Sequence, residues 1–180
     1  GLNNNTGKIK WKTRVGRGGT LGGIHFGMAS DGTKLFVPVA DREVGRTYDW
    51  EKRPGLYGLD INTGDIIWSY KLDNVCEDRE PVSGGGKCFT GFSAPVSVTG
   101  DVLFAGALDG RFSAHSTQDG SKLWEFDTLK PFNTVNSFPA IGGSIDAAGA
   151  VIVDAWVFIN SGYATHGQMS GNVLLAFSTD

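Results

Sequence analysis

The chain is 180 residues long, with 40% apolar residues, 27 glycines and a formal charge of −3. Its 16 lysines and arginines are scattered through an acidic background, which excludes nucleic acid as a partner. No apolar run approaches the roughly 20 residues that cross a bilayer as a helix.

In chain order, "LNNNTGKIKWKTRV" comes first, an Asn-Thr-Gly turn leading into a lone strand over residues 8–15. The Gly-rich connection "GRGGTLGGIHF" follows; with no helix after it, it makes a poor phosphate cradle. Residues 27–72 read as four strands: the pair "GMAS-DGTK-LFVPV", an apolar strand ending at Ile61, the turn Asn62-Thr63-Gly64 and a final strand. Alternation puts Ile66, Trp68 and Tyr70 on one face of that final strand, and Ile67, Ser69 and Lys71 on the other. The loop "NVCEDREPVSGGGKCF" holds both cysteines, Cys76 and Cys88, without a His or further Cys at zinc spacing. A loop-closing disulfide worth roughly 3 kcal/mol is expected there, with free thiols the alternative. Such a bond points to an oxidising compartment such as the periplasm. Residues 94–127 repeat the four-strand unit through "APVSV-TGD-VLFAG" and "HSTQDGSKLWEFDT", and residues 149–178 supply three strands of another through "GAVIV-DA-WVFIN".

The turn glycines are Gly7, Gly64 and Gly120, spaced 57 and 56 residues apart, and each precedes a tryptophan by four: Trp11, Trp68 and Trp124. A fixed period with abundant turn residues and no long helical pattern is the mark of a repeat architecture. The fold class expected is all-β, a β-propeller of four-stranded antiparallel blades with about three blades present, part of a larger, eight-bladed-type ring. Each tryptophan is read as the wedge between neighbouring blades. Closed propellers need four to eight blades, so the 180 residues are expected to be a piece of a longer protein, inactive alone, with the remaining blades as its partners. A subunit that closes by assembling with copies of itself is the alternative.

Turns within a blade are short, whereas the connections "DREVGRTYDWEKRPG", "DNVCEDREPVSGGGKCFTGF", "TLKPFNTVNSFPAIGGSIDAA" and "SGYATHGQMSGN" are long and fall on one rim. Binding or catalysis is expected on that rim. No connection carries a self-sufficient catalytic motif. His25, His115 and His166 have no nucleophile at a recognisable elbow, and His115 stands where the previous repeat has Leu59. Glu77, Asp78 and Glu80 suit Ca²⁺ binding or proton abstraction, but also a plain solvated loop.

The phrase "LYGLDINTGDIIWSYKL" resembles the repeat of quinoprotein propellers that use pyrroloquinoline quinone (PQQ). "GGTLGGIHFGMASDG", "KLWEFDT", "FNTVN" and "SGYATHGQMSGNVLLAFS" are similar to the C-terminal part of polyvinyl-alcohol dehydrogenases, which are periplasmic PQQ enzymes. The resemblance implies oxidation of a small or polymeric secondary alcohol, with electrons passing to PQQ and then to a cytochrome c. It also implies calcium as a second cofactor. Carried over residue by residue, it makes Phe26 the aromatic platform for the quinone, in place of the family's tryptophan. Asp41 becomes the calcium ligand and Asp78 the catalytic base, with Asp73 second. The competing class is a non-catalytic propeller serving as a binding or assembly scaffold.

Overall fold

The computed structural model describes residues 1–42, 45 and 47–179. Three residues of the connection after Asp41, and the C-terminal residue 180, lie outside the described residues. The chain is all-β. The first four-stranded sheet runs β1 (Ala29–Ser30), β2 (Lys34–Val39), β3 (Gly55–Asp60) and β4 (Ile66–Lys71), all antiparallel. The second runs β5 (Ser97–Thr99), β6 (Val102–Gly106), β7 (Arg111–Ser116) and β8 (Lys122–Asp127) in the same order. A two-stranded hairpin, β9 (Pro131–Phe132) and β10 (Ala140–Ile141), precedes a three-stranded sheet of β11 (Val151–Val153), β12 (Trp156–Ser161) and β13 (Val173–Ser178). Meandering sheets of this size in sequence are propeller blades.

The innermost strands are two or three residues long. That brevity lets Pro38 sit inside β2: β1 reaches only Leu35 and Phe36, so no neighbour calls on the missing N–H. Each complete sheet carries a bulge at one place, between Gly58 and Leu59 and between Ala114 and His115. The bulge overturns the simple alternation expected of the last strand. Trp68 is buried, but Ile66 and Ile67 are both about half exposed, because the extra residue turns Ile66 off the tryptophan's face. Residues 8–15 form no ladder; a single bridge joins Ile9 to Leu2.

Indole bolts join one blade to the next. Trp11 donates from Nε1 to the Ile61 carbonyl at 3.1 Å, and Trp68 donates to the Thr117 carbonyl at 3.1 Å. Each ring lies on the turn glycine three residues further on. A Cβ on Gly64 would come within 2.4 Å of Trp11, and one on Gly120 within 2.5 Å of Trp68. Glycine is doubly required there, since φ is +77° and +74°. Beside the Trp68 bolt, Phe36, Leu56, Phe92, Val96 and Leu103 fill the first blade junction; Phe112, Ile145, Ile159 and Phe177 fill the second. Fully burying such side chains stabilises by roughly 1.5–3 kcal/mol each, so neighbouring blades support one another.

Candidate functional site

The long connections meet on one rim, and backbone bonds fix their phase. Ala40, Leu108 and Gly162 donate to the carbonyls of Gly23, Gly91 and Ser144, one bond per blade. Across junctions, Phe92 donates to Val39 and Ile145 to Ala107. This ladder makes His25, Ser93 and Asp146 the same position in successive blades, just above the inner strands. His25 Nδ1 lies 3.0 Å from Ser93 Oγ and so ties the first blade to the second. Asp146 is buried; one oxygen accepts from the Ala147 N–H at 2.9 Å and the other from the Gln168 amide. Ala147 adopts φ +61°, a costly conformation for a residue with a side chain, and one that concentrates at functional positions.

Within reach of this aspartate's charge lies Arg42. Burial depresses its pKa, against the opposing pull of Asp146. Its Nε and Nη1 are buried and make no hydrogen bond among the described residues, while its guanidinium lies 3.5 Å over the Phe89 ring. A cavity of about 200 Å³ lies alongside, lined by Arg42, Lys52, Asn74, Phe89, Thr90 and the Cys76–Cys88 disulfide.

That disulfide is formed, and the loop it closes spans two blades. Arg79 makes a two-pronged ion pair with Asp127, at 2.6 and 3.0 Å, and a third bond to the Asp109 carbonyl. Burial works against the Asp127 charge, but Arg79 outweighs it and holds that carboxyl below its ordinary range. At the loop's far side, Ser83 bonds Ser170, and the Lys87 N–H donates to Gly167.

Phe26, Asp41 and Asp78 fall at three separate places, and among the described residues no hydrogen bond, ion pair or ring contact links any two of them. Phe26 is 40% exposed, with its ring 4.1 Å from that of His25. Gly27 lets the backbone pass Pro95, where a Cβ would approach to 3.3 Å. Asp78 is exposed, in a 3₁₀ turn over Cys76–Asp78; Asp73 is exposed as well and gives its carbonyl to Arg111.

Asp41 does not fit calcium. It is fully buried, and its oxygens accept backbone N–H groups from Arg17, Gly23 and Arg53 at 3.0–3.1 Å. A calcium ligand must present lone pairs to the ion, and these are taken by donors. The equivalent residue of the second blade, Asp109, is also fully buried and is held by the N–H and guanidinium of Arg111. Both are repeat staples. No cluster of three His, Cys, Asp or Glu side chains suited to a metal occurs among the described residues.

Sequence reasoning missed Arg42, Asp146 and Gln168. Asp146 had one visible signal: it ends the connection "TLKPFNTVNSFPAIGGSIDAA" at the step where the preceding repeats carry His25 and Ser93. His115 is fully buried, with Nδ1 donating to the Gly120 carbonyl and Nε2 facing Ser113 Oγ. It supports a turn.

Residues 1–161 match a family of PQQ-type repeats, PQQ_2, described as outer membrane protein assembly factor BamB. A polyvinylalcohol dehydrogenase from a Pseudomonas species is 37% identical over 98% of this chain, and one from Sphingopyxis sp. strain 113P3 is 35% identical over 98%. The chain spans 28% of the length of each. Among solved structures, the quinohemoprotein alcohol dehydrogenase of Comamonas testosteroni superposes with a TM-score of 0.57 at 19% identity, over 88% of this chain and 20% of that one. That likeness concerns the fold. The repeat, the indole bolts and the match over most of its length agree: the chain belongs to the PQQ_2 family of β-propeller repeats.

Proposed function

We propose that these residues are part of a periplasmic, PQQ-dependent alcohol dehydrogenase of the polyvinyl-alcohol type, oxidising secondary alcohols with a cytochrome c as final acceptor. The observation that carries this reading is 37% and 35% identity to two polyvinylalcohol dehydrogenases along 98% of the chain. When bound, PQQ would supply the two-electron acceptor for the alcohol carbon. This chain's part is positioning and proton transfer. Phe26 offers its exposed face as a platform, and the His25–Ser93 contact holds that face in place. Asp78 is the proton acceptor, with Asp73 behind it. Asp146 is the competitor, favoured by its burial within reach of the Arg42 charge. Calcium has no role through Asp41, and no step is drawn through it.

The second reading is a scaffold propeller without the quinone, favoured by the family's description and by phenylalanine at position 26. The full-length protein decides between them. Loaded with PQQ, it is expected to reduce a dye in the presence of secondary alcohols and polyvinyl alcohol, while residues 1–180 alone do not. Asp78→Asn should lower kcat; if Asp146→Asn does so instead, the base moves to Asp146. Absence of PQQ binding at micromolar cofactor would leave the scaffold reading.

A further inference from the structure

We propose that the cavity between Arg42 and the Cys76–Cys88 loop is a binding site for a small monocarboxylate. The inference goes beyond the proposed function and does not depend on it.

The fold does not call for an arginine at position 42. Counted from Phe36, Phe104 and Phe158, which lie opposite the inner strand in successive blades, its equivalents are Gly110 and Ala164. Arg42 is nonetheless firmly rooted. It follows Asp41, whose backbone takes φ +44° and whose carboxylate is held by the N–H groups of Arg17, Gly23 and Arg53. The point from which the side chain leaves the blade is thus fixed before any ligand arrives, and such pre-organisation lowers the cost of binding.

The guanidinium itself lacks a partner. Nε and Nη1 are buried without a hydrogen bond among the described residues. The Phe89 ring, 3.5 Å away, offers an attraction weaker than the cost of taking an unpaired cation out of water. Asp146 pulls on this charge, yet no hydrogen bond joins the two among the described residues; the aspartate accepts instead from Ala147 and Gln168.

The rest of the cavity supplies donors and apolar surface. Asn74 Oδ1 accepts from the Cys76 N–H at 3.2 Å and from the Thr90 hydroxyl at 2.7 Å. Those two bonds fix the sense of the amide and leave its Nδ2 as a donor with no partner among the described residues. Lys52 adds an exposed ammonium, and no Asp or Glu lines the cavity among the described residues. The cavity lies between the rim connections of the two complete blades, so an occupant would tie the connection after Asp41 to the disulfide loop.

Charge and shape choose the ligand. One buried cation calls for one negative charge, since Lys52 is already hydrated. Sulfate or phosphate would bring a second charge and more oxygens than Arg42, Asn74 and Lys52 can serve. A carboxylate has two oxygens, which suits a guanidinium and an amide acting together. Phe89 and the disulfide provide a wall for a short alkyl end, and about 200 Å³ has room for an acid of the size of acetate or propionate.

Saturation-transfer NMR of the full-length protein, free of quinone and with propionate as the probe, is the test. Saturation should pass to propionate, and acetate should displace it. Arg42→Gln should weaken binding by about tenfold or more, the size of a lost hydrogen bond to a charged group. Asn74→Asp keeps the acceptor for Thr90 and puts a fixed negative charge at the wall, so it should exclude propionate with Arg42 still in place. Lys52→Gln, at an exposed charge, should weaken binding only about twofold. Circular dichroism should be the same for all three variants. No saturation transfer across the millimolar range would overturn the proposal, as would unchanged affinity in Asn74→Asp. Sulfate displacing propionate at lower concentration than acetate would overturn the monocarboxylate. Displacement by stoichiometric PQQ, itself a polycarboxylate, would overturn the site by giving it to the quinone. A protein that binds propionate but no PQQ would uphold this proposal while the proposed function fails.

Discussion

Substituting alanine at the three equivalent turn glycines separates backbone strain from the indole bolt. Gly7, Gly64 and Gly120 share φ values of +68°, +77° and +74°, so each alanine incurs a similar left-handed penalty of about 1–2 kcal/mol. At Gly7 nothing else is met. At Gly120 the new Cβ would lie 2.5 Å from Trp68 Cε3 and 2.9 Å from two more ring atoms. The indole must therefore shift, which adds an overpacking cost of about 1–3 kcal/mol and loosens its 3.1 Å bond to Thr117, worth about 1 kcal/mol. Gly120→Ala should thus cost about 2–4 kcal/mol more than Gly7→Ala. Gly64→Ala should fall between, because residues 8–15 are free to yield with Trp11. Urea unfolding followed by tryptophan fluorescence measures this; the slope should stay constant while the midpoint moves. Equal losses for Gly7→Ala and Gly120→Ala, within about 0.5 kcal/mol, would refute the bolt as a source of stability.

Reducing the Cys76–Cys88 bond, which closes a loop of sequence separation 12, should cost roughly 3 kcal/mol and open residues 162–171 to protease; an unchanged midpoint would contradict this. Asp41→Asn should destabilise by about 2–3 kcal/mol through its lost backbone bonds, and calcium should leave the wild-type midpoint where chelator leaves it. A calcium-dependent rise that Asp41→Asn abolishes would restore the metal role. Burial holds the His115 pKa below 6.5, reinforced by Lys122 and opposed by the Gly120 carbonyl and Glu125, with Tyr70 and Phe92 packed on its ring. The unfolded chain therefore binds its proton first as the pH drops. Stability should be full above pH 6.5 and fall below it, a dependence that His115→Asn should flatten.

The architecture was legible because its signals are local. The Asn-Thr-Gly turns, the tryptophan four residues after each glycine and the alternating apolar strands all lie within a few residues of one another. The bulge that turns Ile66 outward was not legible, since period-2 counting assumes an unbroken ladder. Nor was the β9–β10 hairpin: its strands are two residues each, hidden in a long connection, with Pro131 opening β9 and Pro139 just before β10. The candidate site was the least readable part. Asp41 and Asp146 are both aspartates in rim loops, and only the chain segments folded around them make one a backbone staple and the other a buried carboxylate held by Gln168. Asp78, the base that the resemblance implies, is exposed, and a sequence does not reveal burial.

The cysteine loop bears on the order in which the chain assembles. Cys76 and Cys88 are close neighbours along the polypeptide, and Arg79 docks on Asp127, so their covalent link and its first anchor need nothing beyond the second blade. Its other contact, Ser83 with Ser170, awaits residues emerging much later. Under oxidising conditions, the loop can thus be locked early and offer a prepared landing for the third blade. A truncation ending at residue 128 should therefore oxidise as fast as the whole chain, and slower oxidation would reverse that order.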